Sequence, residues 1–202
     1  MAKARTAPRR TAAQTREHLL DVAHDLFYWN GIRAVGVDRI AAEAGVAPTT
    51  LYRLFASKDD LIAAYVERAA DGYREWFTAA TGADGRGARE RVLALFDALR
   101  AQTAPDRCRG CPYLMALSEL PDTASAGHRR AVELKAWVRA RMGDLTEELA
   151  RTAPVPDPAL LADQLTLILE GAYASVQALG ADGPARAART FAEAVLPDGA
   201  AH

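Results

Sequence analysis

Residues 37–56 read VDRIAAEAGVAPTTLYRLFA. Val37, Ile40, Ala41 and Ala44 recur at helical spacing, Gly45 interrupts them, and Leu51, Leu54 and Phe55 take the spacing up again after a short break. Gly45 can adopt the left-handed conformation that reverses a helix end sharply, and Val46 is placed to pack into the angle between two helices. Ile40, Ala41, Val46 and Leu51 are the expected small core, with the alanine allowing close approach. Small residues, Ala47, Pro48, Thr49 and Thr50, open the second helix, as a helix entering a major groove by its N-terminus requires. Thr50, Tyr52 and Lys58 offer a hydroxyl, a phenol and an ammonium for phosphates, and Arg39 and Arg53 add guanidinium groups. On these residues alone, a helix-turn-helix and an ordinary helical hairpin with a glycine corner both remain open.

The flanks extend the helical pattern in both directions. Residues 1–12 are basic, small and proline-containing, and are expected to form a disordered arm. From Thr15 the apolar positions Leu19, Leu20, Ala23, Leu26 and Phe27 describe a helix that Gly31 stops. Downstream, Ser57-Lys-Asp-Asp60 is a capping pattern that opens a long helix with an inward stripe of Leu61, Ile62, Tyr65, Val66, Ala69, Tyr73, Trp76 and Phe77. Thr81 to Gly87 (TGADGRG) reads as a linker, and five more helices are expected at about 88–103, 112–120, 126–152, 157–180 and 184–196. Breaks between them fall at Pro105, Pro121, Pro154/Pro156 and Gly180 to Pro184. The expectation is an all-α chain of about nine helices, with a domain over 13–57 and a helical body over 58–202.

Composition agrees with that class. Half of the 202 residues are apolar, much of that alanine interleaved with Arg, Glu and Leu, which favours helix over strand. No run reaches the roughly 18 uncharged apolar residues a membrane span needs. The N-terminus carries positive charge without an apolar stretch behind it, so a secretory signal is not expected and the cytoplasm is the expected compartment. Net charge is −1, but it is unevenly spread. Residues 1–58 hold nine Lys/Arg against five Asp/Glu, and residues 59–202 hold 16 against 21. A basic end on an acidic body suits a polyanion-binding module attached to something else. There is no Ser/His/Asp arrangement, glycine-rich phosphate loop or paired-acid constellation, so no enzyme, catalytic residue, cofactor or metal is expected.

The longer run FYWNGIRAVGVDRIAAEAGVAPTTLYRLFASKDDLIAAYV resembles the N-terminal domain of TetR-family regulators. The matching submotifs are Phe27/Gly31, Ile40-Ala41, Ala44-Gly45-Val46, Thr50-Leu51-Tyr52/Phe55 and Ser57-Lys58-Asp59/Leu61. They span about 50 residues in the family's order. The resemblance implies a helix-turn-helix DNA-binding domain joined to a C-terminal ligand-binding and dimerisation domain. It implies that Ala47, Pro48 and Thr49 face the bases, while Thr50, Tyr52 and Lys58 hold the phosphate backbone. Family members commonly carry Thr or Ser where this chain has Val35 and Gly36, so a hydroxyl that caps the second helix and meets a phosphate is missing. Backbone N–H groups or Arg39 are left to make that contact, and DNA shape shares in the discrimination.

In the body, the helix at 157–180 is apolar on more than one face, with Leu160, Leu161, Leu165, Leu167, Ile168, Leu169, Tyr173, Val176 and Leu179, and with small residues Gly171, Ala172, Ala174 and Ser175. A dimer surface and a fully buried helix are the two readings; the resemblance implies the dimer, a four-helix bundle of the last two helices of each subunit on a roughly palindromic operator. It also implies an effector cavity. The candidate lining is Phe96, Leu99, Tyr113, Leu114, Leu117, Trp137, Val138, Met142, Leu165 and Tyr173, with Gln177 or Glu119 as polar groups. A small apolar or amphipathic effector is then expected to release a repressor from its operator by moving the long helix from Lys58.

Cys108-Arg-Gly-Cys111 leaves alternatives open. Flanked by Arg107 and Arg109 and followed by a helix that Pro112 opens, it suits packing thiols, a redox switch or half of a zinc site. A redox-responsive regulator or dithiol protein is thus the alternative function. Cys111-Pro112-Tyr113 also resembles a Gly-Cys-Pro-aromatic stretch of one TetR subgroup, which implies packing.

Overall fold

The computed structural model describes residues 10–104 and 108–197; residues 1–9 of the expected arm, Pro105 and Arg107 lie outside the described residues. Among the described residues there are nine α-helices and no strand. They are α1 (Ala12–Asn30), α2 (Val37–Glu43), α3 (Pro48–Leu54), α4 (Lys58–Ala80), α5 (Ala88–Gln102), α6 (Pro112–Glu119), α7 (Ala126–Ala150), α8 (Pro158–Leu179) and α9 (Ala188–Val195).

Two ends differ from the sequence expectation. Helix α1 begins at Ala12 rather than near Thr15, because Thr11 and Gln14 form a reciprocal cap. The Gln14 N–H donates to the Thr11 hydroxyl at 3.2 Å, and the Thr11 N–H donates to the Gln14 side-chain oxygen Oε1 at 2.9 Å. The last helix is preceded by a 3-10 turn, Pro184–Ala187, so its first turn is tighter than the uninterrupted helix expected over 184–196.

The chain divides into two compact units, one ending at Tyr65 and the other starting at Val66, within α4. In the first, Leu19, Leu20, Ala23 and Phe27 of α1 are buried, as are Ile40 and Ala41 of α2, Leu51 of α3, and Phe55, Leu61 and Tyr65. The Tyr65 ring meets Phe27 edge-on at 5.3 Å. Ser57 caps α4: its hydroxyl accepts from the Asp60 N–H at 3.0 Å, and the Asp60 carboxylate accepts from the Ala56 N–H at 3.1 Å.

In the second unit, α7 packs along α8 and against α5 and α6, and α9 closes onto α5 and α8. The core between them holds Phe96, Leu99, Leu134, Met142, Leu165 and Leu169. Buried Thr146 joins α7 to the start of α8, its hydroxyl donating to the Pro158 carbonyl at 2.8 Å. Arg91 of α5 donates to both carboxylate oxygens of Glu148 at 2.8 and 2.7 Å and to the Thr81 carbonyl at 2.7 Å. Among the described residues, no helix is long and apolar enough to cross a membrane, and no group of three His, Cys, Asp or Glu is arranged to hold a metal ion.

Candidate functional site

In the first unit the turn between α2 and α3 is built by backbone. Gly45 takes φ +65°, and the Val46 N–H returns to the Ala41 carbonyl at 2.9 Å. Beneath it, Ile40, Ala41 and Leu51 are fully buried, while Val46 is half-buried at the edge of this small core. From α1, a ring nitrogen of His18 bonds the Ala44 carbonyl at 3.1 Å, pinning the turn to the helix below it. Arg16 lays its guanidinium 4.9 Å from the centre of the Phe55 ring, closing the far side of α3.

That scaffold leaves the N-terminus of α3 projecting. Ala47 is its N-cap, without a side-chain cap bond, and Pro48 fills the first helical position, where a missing N–H costs nothing. Ala47, Pro48 and Thr49 are exposed, Thr50 is partly exposed, and Tyr52 keeps half of its surface in solvent. Arg53 is exposed in the last turn of α3. Helix α2 starts at Gly36, again with no side-chain cap bond. Its exposed Arg39 reaches Asn30 of α1 at 3.5 Å, and the Lys58 ammonium reaches the Arg33 carbonyl at 3.5 Å. The proposed base-facing residues and the proposed phosphate donors therefore all belong to one unit, on α2, α3 and the first residue of α4.

The second unit contains a partly buried polar cluster inside the helical body. Tyr73 of α4 meets the rings of Tyr113 at 5.8 Å and Tyr173 at 6.4 Å. The Tyr173 hydroxyl donates to the Gln102 side-chain oxygen, whereas the Tyr73 hydroxyl is buried without a hydrogen-bond partner among the described residues. Lys135 donates to both oxygens of Glu170 at 2.7 and 2.8 Å, and its ammonium lies 5.6 Å from the centre of the Tyr113 ring. The same ammonium stands 3.0 Å from the Cys111 sulfur. Burial pushes the Cys111 thiol and the Tyr73 and Tyr173 phenols up; at Cys111 the nearby ammonium pulls the other way.

Of the candidate effector residues, Phe96, Leu99, Tyr113, Val138, Met142, Leu165 and Tyr173 are buried, and Leu114, Leu117, Glu119 and Trp137 are partly buried. Gln177 is exposed, with its side chain against the backbone of Gly110. Among the described residues, grooves of about 250, 270 and 150 Å³ border this unit, and the walls of these grooves include none of the candidates.

Two family descriptions match the chain. "Bacterial regulatory proteins, tetR family" covers residues 19–65, the helix-turn-helix just described, and "Tetracyclin repressor-like, C-terminal domain" covers residues 88–192. The chain belongs to the TetR family. The TetR-family transcriptional regulator SCO4454 of Streptomyces coelicolor is 33% identical with a TM-score of 0.84, over 91% of this chain and 95% of that one. A TetR transcriptional regulator of Chloroflexus aurantiacus is 26% identical with a TM-score of 0.79, over 93% of this chain and 96% of that one. The HTH-type transcriptional regulator YjdC of Escherichia coli is 25% identical over 90% of this chain and 93% of its own length.

As a TetR-family member the chain is a transcriptional regulator and not an enzyme. Regulators of this family bind DNA and usually act as dimers. Several residues that matter to the two sites carried no signal in the sequence reading. His18, Arg16 and Asn30 brace the reader from α1, where the helical pattern marks only apolar positions. Lys135, Glu170 and Gln102 look like surface residues of α7, α8 and α5 until the helices are packed and their side chains converge.

Proposed function

We propose that the protein is a cytoplasmic, homodimeric repressor that leaves a roughly palindromic operator when a small apolar or amphipathic effector binds. What carries the reading is the tip of α3: small side chains at Ala47, Pro48 and Thr49 stand exposed, flanked by Thr50, Tyr52, Arg53, Arg39 and Lys58. A helix presented in this way can approach base edges while its neighbours hold phosphates. Thr49 and the methyl groups of the tip read bases, and Arg39 or the backbone at Gly36 takes the place of the missing hydroxyl. The reader domain is assigned to 13–57 and the effector and dimer domain to 58–202. The effector lodges among residues such as Phe96, Tyr113, Leu117, Trp137, Met142 and Tyr173, and α4, which belongs to both units, carries the change. Exposed Leu160, Leu167, Leu179 and Phe191 support pairing through α8 and α9.

The test is binding to the DNA upstream of the protein's own coding sequence across a salt series. Affinity should fall steeply with salt, and Lys58→Ala should weaken all sequences alike and lower the logarithmic salt slope by about 1. Thr49→Ala should instead relax sequence preference. Absence of binding at low salt would defeat the reading.

A further inference from the structure

Arginines of the helical body and two cations of the helix-turn-helix unit are held by different kinds of oxygen. In the body, Arg91, Arg130, Arg139 and Arg189 each meet a carboxylate, at 2.7, 2.6, 2.6 and 2.9 Å, so their charge is neutralised where they stand. In the helix-turn-helix unit, the Arg39 guanidinium donates to the Asn30 side-chain oxygen and the Lys58 ammonium to the Arg33 backbone carbonyl, each at 3.5 Å. Among the described residues no carboxylate pairs with either cation. Both acceptors are neutral, so they steer the side chain and leave its charge for an outside anion. Asn30 is itself fixed by the helix it ends. It is the last residue of α1, before Gly31 at φ +92°, and its amide nitrogen donates to the Leu26 carbonyl at 3.2 Å. Only the nitrogen of the amide can make that bond, which leaves the oxygen for Arg39. Arg39 stands in the first turn of α2, whose N-cap Gly36 brings no side-chain oxygen.

We propose that Asn30 is a positioning residue for DNA binding: its amide oxygen holds the Arg39 guanidinium, with its charge uncompensated, ready for a backbone phosphate at the start of α2. The inference rests on the proposed operator binding and adds the residue that aims this arginine. A long side chain gives up rotamer freedom when it grips a phosphate, and one already restrained by a neighbour gives up less. A carboxylate in place of Asn30 would restrain Arg39 more firmly but would neutralise it, as the body arginines are neutralised. The neutral amide restrains without that loss. A residue that merely closed the end of α1 through its Leu26 bond would act in the same way whether or not Arg39 were present. The two roles are therefore separable by removing the arginine.

The experiment measures binding of the full chain to a duplex from upstream of its own coding sequence, and to a random duplex of equal length, across a salt series. The chains compared are the parent, Asn30→Ala, Arg39→Ala, their double variant and Asn30→Asp with and without Arg39→Ala. Arg39→Ala should weaken both duplexes alike and lower the logarithmic salt slope by about 1. Asn30→Ala should weaken both by about threefold, the worth of one neutral hydrogen bond. In the Arg39→Ala background the same change should cost nothing further. Asn30→Asp should weaken binding more than Asn30→Ala and lower the slope by about 1 as well, because the new carboxylate neutralises the arginine it holds. An equal loss from Asn30→Ala with and without Arg39 overturns the proposal, as does an Asn30→Asp chain that binds like the parent. If Asn30→Ala does not fold, Asn30→Asp decides, since its loss should shrink once Arg39 is gone and an undiminished loss overturns the proposal. A parent chain that binds neither duplex at low salt removes the operator reading and this inference together, whereas the other adverse outcomes leave the operator reading standing.

Discussion

At the two ends of α2 stand glycines with opposite requirements. Gly45 holds φ +65° with nothing within 4 Å of where a Cβ would sit, so Gly45→Ala meets backbone strain alone. We expect a loss of about 1–2 kcal/mol, read as a lower urea midpoint. Gly36 has φ −84° and equally open surroundings, a backbone that serine adopts freely. Gly36→Ser should add a few tenths of a kcal/mol through the cap. On the proposed function it should also tighten operator binding by restoring a phosphate hydroxyl. Unchanged affinity would show that no phosphate comes near this helix end. A second pair of residues separates a satisfied from an unsatisfied phenol. Tyr73→Phe removes a buried hydroxyl without a partner and should stabilise by about 1 kcal/mol, while Tyr173→Phe strands Gln102 and should destabilise by about as much. Burial raises the Tyr73 phenol above its ordinary value of 10.0, so the folded state holds its proton longer than the unfolded chain does. That stability is present below the ordinary value and drains away as pH climbs beyond it. Tyr73→Phe should therefore also push alkaline unfolding to higher pH.

Between elements, the contact of α7 with α8 includes an ion pair with a definite pH signature. Arg139 holds Asp163 through bonds of 2.6 and 3.1 Å, and its guanidinium keeps that carboxyl below the ordinary 3.8. A depressed carboxylate contributes fully above its unfolded value and loses its contribution as pH falls through the folded one. Arg139→Ala should lower the melting temperature slightly near neutral pH and not at all in strong acid. An equal loss at both would point to packing of the arginine stem instead. The same two helices show what was legible in advance. Their extents followed from breakers the sequence displays, Pro154, Pro156 and Gly180, and from apolar spacing along Leu134, Val138, Met142 and Leu145. The start of α4 was equally visible, because Ser57 and Asp60 are a local device needing no tertiary information. The polar residues linking α7 to α8, Arg139 to Asp163 and Lys135 to Glu170, were not legible. Such pairs depend on helix register, and a charged side chain on a helix face reads alike whether it meets water or a partner. The Thr11 cap escaped notice because its reciprocal residue, Gln14, lies among polar residues with no apolar run to announce a helix.

For the whole molecule, the uneven distribution of charge and of exposed apolar surface leads to one last expectation. The helix-turn-helix was readable because its motif is contiguous and each submotif has a local physical role. The polar members of the buried cluster, Lys135, Glu170 and Gln102, were not, since they come together only when α5, α7 and α8 are packed, whereas its tyrosines lie at apolar helical positions. Pairing lies between these extremes: α8 is too apolar for a solvent-facing helix, and in the single chain Leu167 is 72% exposed and Phe191 57%. Side chains so exposed contribute little to the folding of one chain, so replacing them should leave its melting curve nearly unchanged. If they lie at the centre of a subunit contact, however, each substituted charge is buried unpaired, at a cost of about 2 kcal/mol or more. Leu167→Glu with Phe191→Glu should then shift the protein from dimer to monomer in sedimentation at micromolar concentration. Operator affinity should fall by about 30-fold or more, because two recognition helices no longer arrive together on the two half-sites. A double variant that still sediments as a dimer would place the subunit contact elsewhere. A monomer that binds the operator as tightly as the parent would remove the palindrome from the proposed function.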